Sequence, residues 1–147
     1  MMKRMLLLMV ITASIFSCQK DDNPVAPPYM DCKADGGVVE FTTRNAVVVG
    51  SNLQITGINA SATAVSLSIN NISAGQTGTF NIGAGNFNTA AYTDATGGYS
   101  AGGSGGSGQI TIVVNNGGTL QGSFQFTALD LSGKTKVITE GRFMIYY

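Results

Sequence analysis

The amino-acid sequence predicts an all-β fold: a single antiparallel meander domain of about nine strands, a sandwich or a partly open barrel, behind an N-terminal helical signal peptide. Three observations carry this expectation. From Tyr29 onward, apolar residues recur with period two in short runs rich in β-branched side chains. Gly, Asn and Asp cluster between those runs. After the leader, no stretch repeats its apolar positions at helical spacing. At 147 residues, with 44% hydrophobic and 11% charged residues, the chain suits one domain with its own core and is too apolar for a disordered tail.

The first element is an export leader. Lys3 and Arg4 make a positive start, Met5 to Phe16 is nearly continuously apolar, and the small Ser17 precedes Cys18. Twelve helical residues reach only ~18 Å against a hydrocarbon thickness of ~30 Å, so the run is too short for a permanent span. Ser14-Ile15-Phe16-Ser17-Cys18 resembles a bacterial lipobox, in which the leader is cut before the cysteine and the thiol carries diacylglycerol. Ile15 replaces the usual leucine, and Phe16 departs from the usual small residue, as in relaxed boxes of Bacteroidetes-type lipoproteins. The alternative is an ordinary cleaved leader with Cys18 free or bridged to Cys32.

Gln19-Lys20-Asp21-Asp22 resembles the short acidic tag that sends some Bacteroidetes-type lipoproteins to the outer face of the outer membrane; the plainer reading is a solvated linker start. Asn23-Pro24-Val25-Ala26-Pro27-Pro28 then favours an extended, donor-poor backbone. The boundaries that follow are residues 1–17 for the lipoprotein signal peptide, 18–29 for the lipidated tether and 30–147 for the β domain.

Strands are expected at Val38 to Thr42, Ala46 to Val49, Leu53 to Thr56, Val65 to Ile69, Thr79 to Ile82, Thr89 to Thr93, Gln109 to Asn115, Leu120 to Leu129 and Lys136 to Tyr147. Asp35-Gly36, Asn115-Asn116-Gly117-Gly118 and Ser132-Gly133 supply hairpin turns. In Leu120 to Ala128, Phe124 and Phe126 share one face while Ser123, Gln125 and Thr127 share the other, which predicts one buried and one wet face. Strands of four to six residues argue against a membrane-embedded barrel, whose strands need ~9–11. The seven glycines from Asp94 to Gly108 are expected to form a mobile loop.

Gly78-Thr79-Phe80, Gly108 to Val114, Leu120 to Ala128 and Val137 to Ile145 resemble an uncharacterised Bacteroidetes-type outer-membrane lipoprotein domain family. That family pairs a Gly-x-Phe-x-Phe strand with a terminal Ile-Thr-x-Gly-x-Phe strand. The resemblance spans Met30 to Tyr147 and implies an extracytoplasmic β domain of unknown activity.

Chemistry is sparse. Gly103 to Gly108 fits a dinucleotide glycine pattern, and Ala128 to Thr135 a relaxed phosphate-loop pattern, but both lack the helix whose N-terminus would hold phosphate. There is no histidine, which removes the usual base for a nucleophile and the commonest zinc ligand. Cys32 beside a strand reads as an inert, partly buried thiol, although a Cys–Lys or a Ser–Lys pair leaves a nucleophilic arrangement open. Asp31, Asp35 and Glu40 read as solvated turn charges. No catalytic residue, metal ligand or cofactor is assigned. Tyr92 and Tyr99 are the candidate ligand contacts, Tyr99 the more exposed because it sits among glycines.

The charge balance excludes a nucleic-acid grip. Removing Lys3 and Arg4 with the leader leaves 8 − 2 = 6 basic against 8 acidic residues, a net −2, and Asp94 is the only charged residue between Asn45 and Leu129. The leading expectation is a non-enzymatic, lipid-anchored cell-envelope domain at the outer membrane, on its outer face if Gln19 to Asp22 act as the sorting tag, with the membrane as partner through Cys18 and envelope proteins or glycans as partners of its β domain. A lipocalin-like small-ligand carrier is the runner-up, and a hydrolase using Asp, Glu or Lys comes third.

Overall fold

The computed structural model describes residues 25–103 and 105–147. Its strands are β1 (Tyr29–Ala34), β2 (Gly37–Glu40), β3 (Thr43–Val49), β4 (Asn52–Ile58), β5 (Ala64–Ile69), β6 (Gly78–Ile82), β7 (Thr89–Asp94), β8 (Gly97–Ala101), β9 (Ser107–Asn115), β10 (Thr119–Leu129) and β11 (Thr135–Tyr146). Every pairing is antiparallel. Eleven strands thus form where the sequence pattern points to about nine; β1 and β8 are the additions. The expected leader and most of the tether lie outside the described residues. Among the described residues no helix is long and apolar enough to cross a membrane.

Turn chemistry places the hairpins. Asp35 (φ 47°) and Gly36 (φ 84°) both take the left-handed backbone that a two-residue turn between twisted strands needs. Asn59 Oδ1 accepts the amides of Ser61 and Thr63, closing the β4–β5 loop, and Asp130 Oδ1 does the same for Ser132 and Lys134 at the β10–β11 turn.

The strand order is β2-β1-β11-β10-β8-β7-β5-β4-β3. Its two end strands, β2 and β3, are consecutive in the chain and separated only by Phe41-Thr42. Three peptide steps span at most ~11 Å, so the sheet must curl until its ends lie side by side, although β2 and β3 do not pair. The result is a partly open barrel. The seam is packed from inside by Met30 and Phe41, which press on the backbone of Gly57 so closely that a Cβ there would meet Met30 Sδ at 2.7 Å.

One excursion breaks the meander. After β5 the chain crosses to pair β6 with β9 and then returns to lay β7 beside β5. β10 is consequently forked: Leu120 to Thr127 pair with β9, whereas Leu129 pairs with Ser100 of β8. The glycine-rich stretch is built into this fork. Gly97 to Ala101 are a strand, and Gly106 and Gly108 let the chain run flush against β10, where a Cβ would come within 2.3 Å of Thr127 O and Gln125 O respectively. The expectation of a loop throughout Asp94 to Gly108 is therefore corrected. Glycine there serves close backbone approach rather than freedom.

The interior is filled by Phe124, whose ring stacks on those of Phe126 and Phe143 at 6.3 Å each, together with Tyr92, Tyr99 and aliphatic residues from all sides. Among the described residues no polar or charged side chain is buried. Along β10 the inner and outer faces fall as the alternation predicts. β11 departs twice: a bulge at Thr139-Glu140, where Glu140 takes φ 50°, turns both Ile138 and Gly141 inward, and Met144, on the outer face, is buried as well, beneath a hydrogen bond from Gln121 Nε2 to the Tyr29 hydroxyl on the two flanking strands.

Candidate functional site

The barrel has two chemically unlike ends. At one, the Gly50-Ser51 turn, residues 70–77, the β9–β10 turn and Tyr147 surround an apolar pocket of ≈ 270 Å³. Val48, Leu53, Ile72, Ala74 and Tyr147 form its walls. Val48 faces inward beside Leu53, yet it lies on an edge strand and remains 47% exposed. Ile72 is held by its backbone N–H, which donates to Ser51 O at 2.9 Å. Asn115 ties the rim together: its amide donates to Gln76 O at 3.1 Å, and its Oδ1 accepts from the Tyr147 hydroxyl at 2.6 Å. The pocket is smaller than the ~300–1,000 Å³ of sites that enclose drug-sized ligands, so it suits a single ring or a short run of an alkyl chain.

The opposite end is charged. Lys136 Nζ lies 3.0 Å from Asp94 Oδ2 and 3.3 Å from Asp35 Oδ2, joining the start of β11 to the ends of β7 and β1. It also sits 5.0 Å from the ring centre of Tyr99 and 5.8 Å from that of Tyr92. The Asp94 hydrogen bond raises the Lys136 pKa above its usual value. Burial would raise Asp94, but hydrogen bonds from Thr96 and Lys136 outweigh it and the carboxyl is lowered. The Val137 amide, with Lys136, likewise lowers Asp35. A lysine so held keeps its proton at neutral pH and is unsuited to act as a base.

A third feature is the groove between β1 and β11, where Lys33 pairs with Glu140 at 2.8 Å and Arg142 with Asp31 at 2.9 Å. Alternating charges cancel there. Beneath it Cys32 is 1% exposed, and burial, with the charge of Asp31, pushes its thiol up to about 12. It is a thiol, not a thiolate, at neutral pH. Among the described residues, no group of three or more His, Cys, Asp or Glu is placed to hold a metal ion.

Cys18, Gln19, Lys20, Asp21 and Asp22 lie outside the described residues. Tyr99, expected to be exposed, is corrected: it is 4% exposed and Tyr92 3%. Both inward faces derive from the β7–β8 pairing, in which Tyr92 and Tyr99 are directly opposed. The Tyr99 hydroxyl finds its partner in Thr96 Oγ1 at 2.9 Å. The solvated-charge reading of Asp35 is likewise incomplete, because its carboxylate also receives Lys136 and the Val137 amide. Sequence reasoning missed the apolar pocket. Its one local signal was Val47-Val48-Val49, an uninterrupted apolar run on what proves to be an edge strand.

Neither a curated protein nor a solved structure matches the chain. A family model does match, over residues 26–145, which takes in all of β1 to β10 and most of β11. The chain therefore belongs to the family described as a domain of unknown function, DUF6252.

Proposed function

We propose that this protein is a non-enzymatic, lipid-anchored β domain of the cell envelope, held at the outer membrane through Cys18 and serving a binding or structural role in an envelope assembly. The observation that carries the reading is the order of the first 28 residues: two basic residues, an apolar run, a small residue, Cys18, a polar tag and a proline-rich spacer. The acyl chains of a diacylglycerol linked to the Cys18 sulfur, at ~0.8 kcal/mol per buried methylene, would anchor the domain far more firmly than a single myristoyl chain. The likeness to Bacteroidetes-type lipoproteins rests on the same residues, together with the Gly-x-Phe-x-Phe and Ile-Thr-x-Gly-x-Phe strands. The protonated states of Cys32 and Lys136 support a role without covalent chemistry.

Mass spectrometry of the membrane fraction from wild type and Cys18→Ser, with protease shaving of intact cells, tests the anchor and its facing. Diacylglycerol on residue 18 and cleavage by external protease are expected; wild-type protein that is water-soluble with a bare thiol defeats the proposal.

A small-ligand carrier is the second reading, favoured by the apolar pocket beside Val48 and Tyr147. A solvatochromic apolar dye that binds stoichiometrically to wild type and not to Ala74→Phe supports it. Absence of any binding removes it.

A further inference from the structure

We infer that the end of the barrel bearing Val48, Val49, Tyr146 and Tyr147 lies against the lipid surface, with the charged end turned away from it. The inference rests on the proposed lipid anchor at Cys18 and adds the orientation that the anchored domain takes.

The path of the chain comes first. The Tyr146 hydroxyl donates to Ala26 O at 2.6 Å, and Arg44 Nη1 donates to Pro28 O, so residues 25–28 pass beside the last residues of β11 and the start of β3. The chain therefore arrives at the end where the apolar pocket opens. Seven residue steps separate Val25 from Cys18, a reach of about 25 Å when fully extended. β10 alone is 11 residues, roughly 36 Å along its own length and about 25–30 Å along the barrel axis at the usual strand tilt, so the far end meets the surface only with the linker fully stretched or the domain on its side.

Charge is divided in the same sense. Residues 50–51, 70–77 and 115–119, with Tyr146 and Tyr147, contain no charged side chain. Asp35, Asp94, Asp130, Lys134 and Lys136 all lie at or beside the turns of the other end. At the uncharged end Val49 is 65% exposed and Tyr146 and Tyr147 are 41% and 39% exposed. Tyrosine, with an apolar body and a polar tip, is suited to the headgroup level of a bilayer. Such a patch is too small to hold a soluble protein on a membrane. A tether that keeps it within a few nanometres of the surface makes a weak contact sufficient.

The chain contains no tryptophan, so one introduced indole reports a single position. Val49→Trp and Leu131→Trp, the latter in the β10–β11 turn where Leu131 is fully exposed, are made in the full acylated chain and reconstituted in phosphatidylcholine vesicles with brominated acyl chains. The expected result is a blue shift and roughly twofold or greater quenching of the residue 49 indole, as for a side chain ~5–10 Å into the interface, with the residue 131 indole unchanged. Mixing in anionic lipid or raising salt should leave the contrast intact, because the residues in contact carry no charged side chain and the nearby Arg44 is held by Pro28 O and Thr42 O. Equal quenching at both positions, or stronger quenching at 131, overturns the orientation while acylation of Cys18 stands. A bare Cys18 in the wild-type membrane fraction overturns anchor and orientation together.

Discussion

Phe124 and Gly141 face each other across β10 and β11, the ring lying so close over the glycine that a Cβ there would meet Cδ2 and Cε2 at 2.5 Å. The relationship is reciprocal. Phe143, two residues past Gly141, faces Gly122, where an added Cβ would meet its Cζ at 2.7 Å, and Phe126 faces Gly108 of β9. The two sequence motifs are thus one structural device, in which the rings of Phe124 and Phe143 each cover the glycine opposite and three large rings fit into a narrow interior.

Gly141→Ala should destabilise the domain by about 1–3 kcal/mol through overpacking against Phe124, read from the urea midpoint. Phe124→Leu in the same chain should return part of the loss, with a coupling of at least ~0.5 kcal/mol. Strict additivity would show that the ring is not what resists the methyl. Gly122→Ala should cost more, because its Cβ would also meet Thr111 O at 2.1 Å, a backbone atom that cannot rotate away.

Asp35 and Asp94 are both lowered from the ordinary value of 3.8. The folded protein therefore binds fewer protons than the unfolded chain, so the stability from the Lys136 cluster is full above about pH 4 and lost as pH falls through the depressed folded values. With the Lys136 and Asp94 side chains only 12% and 18% exposed, Asp94→Asn should cost about 1–3 kcal/mol at pH 7 and flatten the acid limb of thermal stability against pH. An unchanged acid limb would mean that Asp94 titrates normally.

Cys32 should resist alkylation. In a Cys18→Ser chain it is the sole thiol, and with its pKa pushed up to about 12 by burial the thiolate fraction at pH 8 is roughly one in ten thousand, before the blocked access of the reagent is counted. Iodoacetamide should label it only after denaturation. Fast labelling of the folded protein would place the sulfur at the surface.

Tyr99→Ala should cost ~3–5 kcal/mol, the range for a large core aromatic, whereas Tyr99→Phe should cost ~0.5–1.5 kcal/mol for its hydrogen bond to Thr96. A change below ~0.5 kcal/mol for the alanine variant would return Tyr99 to the surface.

The site-bearing regions differ in how legible they are. Phe124 and Phe126 can be assigned to the interior from a two-residue period alone, since a strand has only two faces. Tyr99 could not be, because its neighbours Gly97, Gly98, Gly102 and Gly103 carry no side chains and so no periodicity. The pocket was hidden for another reason. Val48, Ile72 and Tyr147 lie far apart in sequence and meet only where three turns converge.

By itself the sequence determined the β class, the hairpin turns at Asp35-Gly36 and Ser132-Gly133, and the inner face of β10, all consequences of bonding and solvent exposure within a few residues. Only the tertiary structure decided that β2 and β3 end up at opposite limits of one curled sheet, that β6 leaves its neighbours for β9, and that Lys136 reaches both Asp35 and Asp94. Strand alternation says which side of a strand is dry, but not which strand lies beside it; that choice is settled by closing the whole interior around Phe124, Phe126 and Phe143.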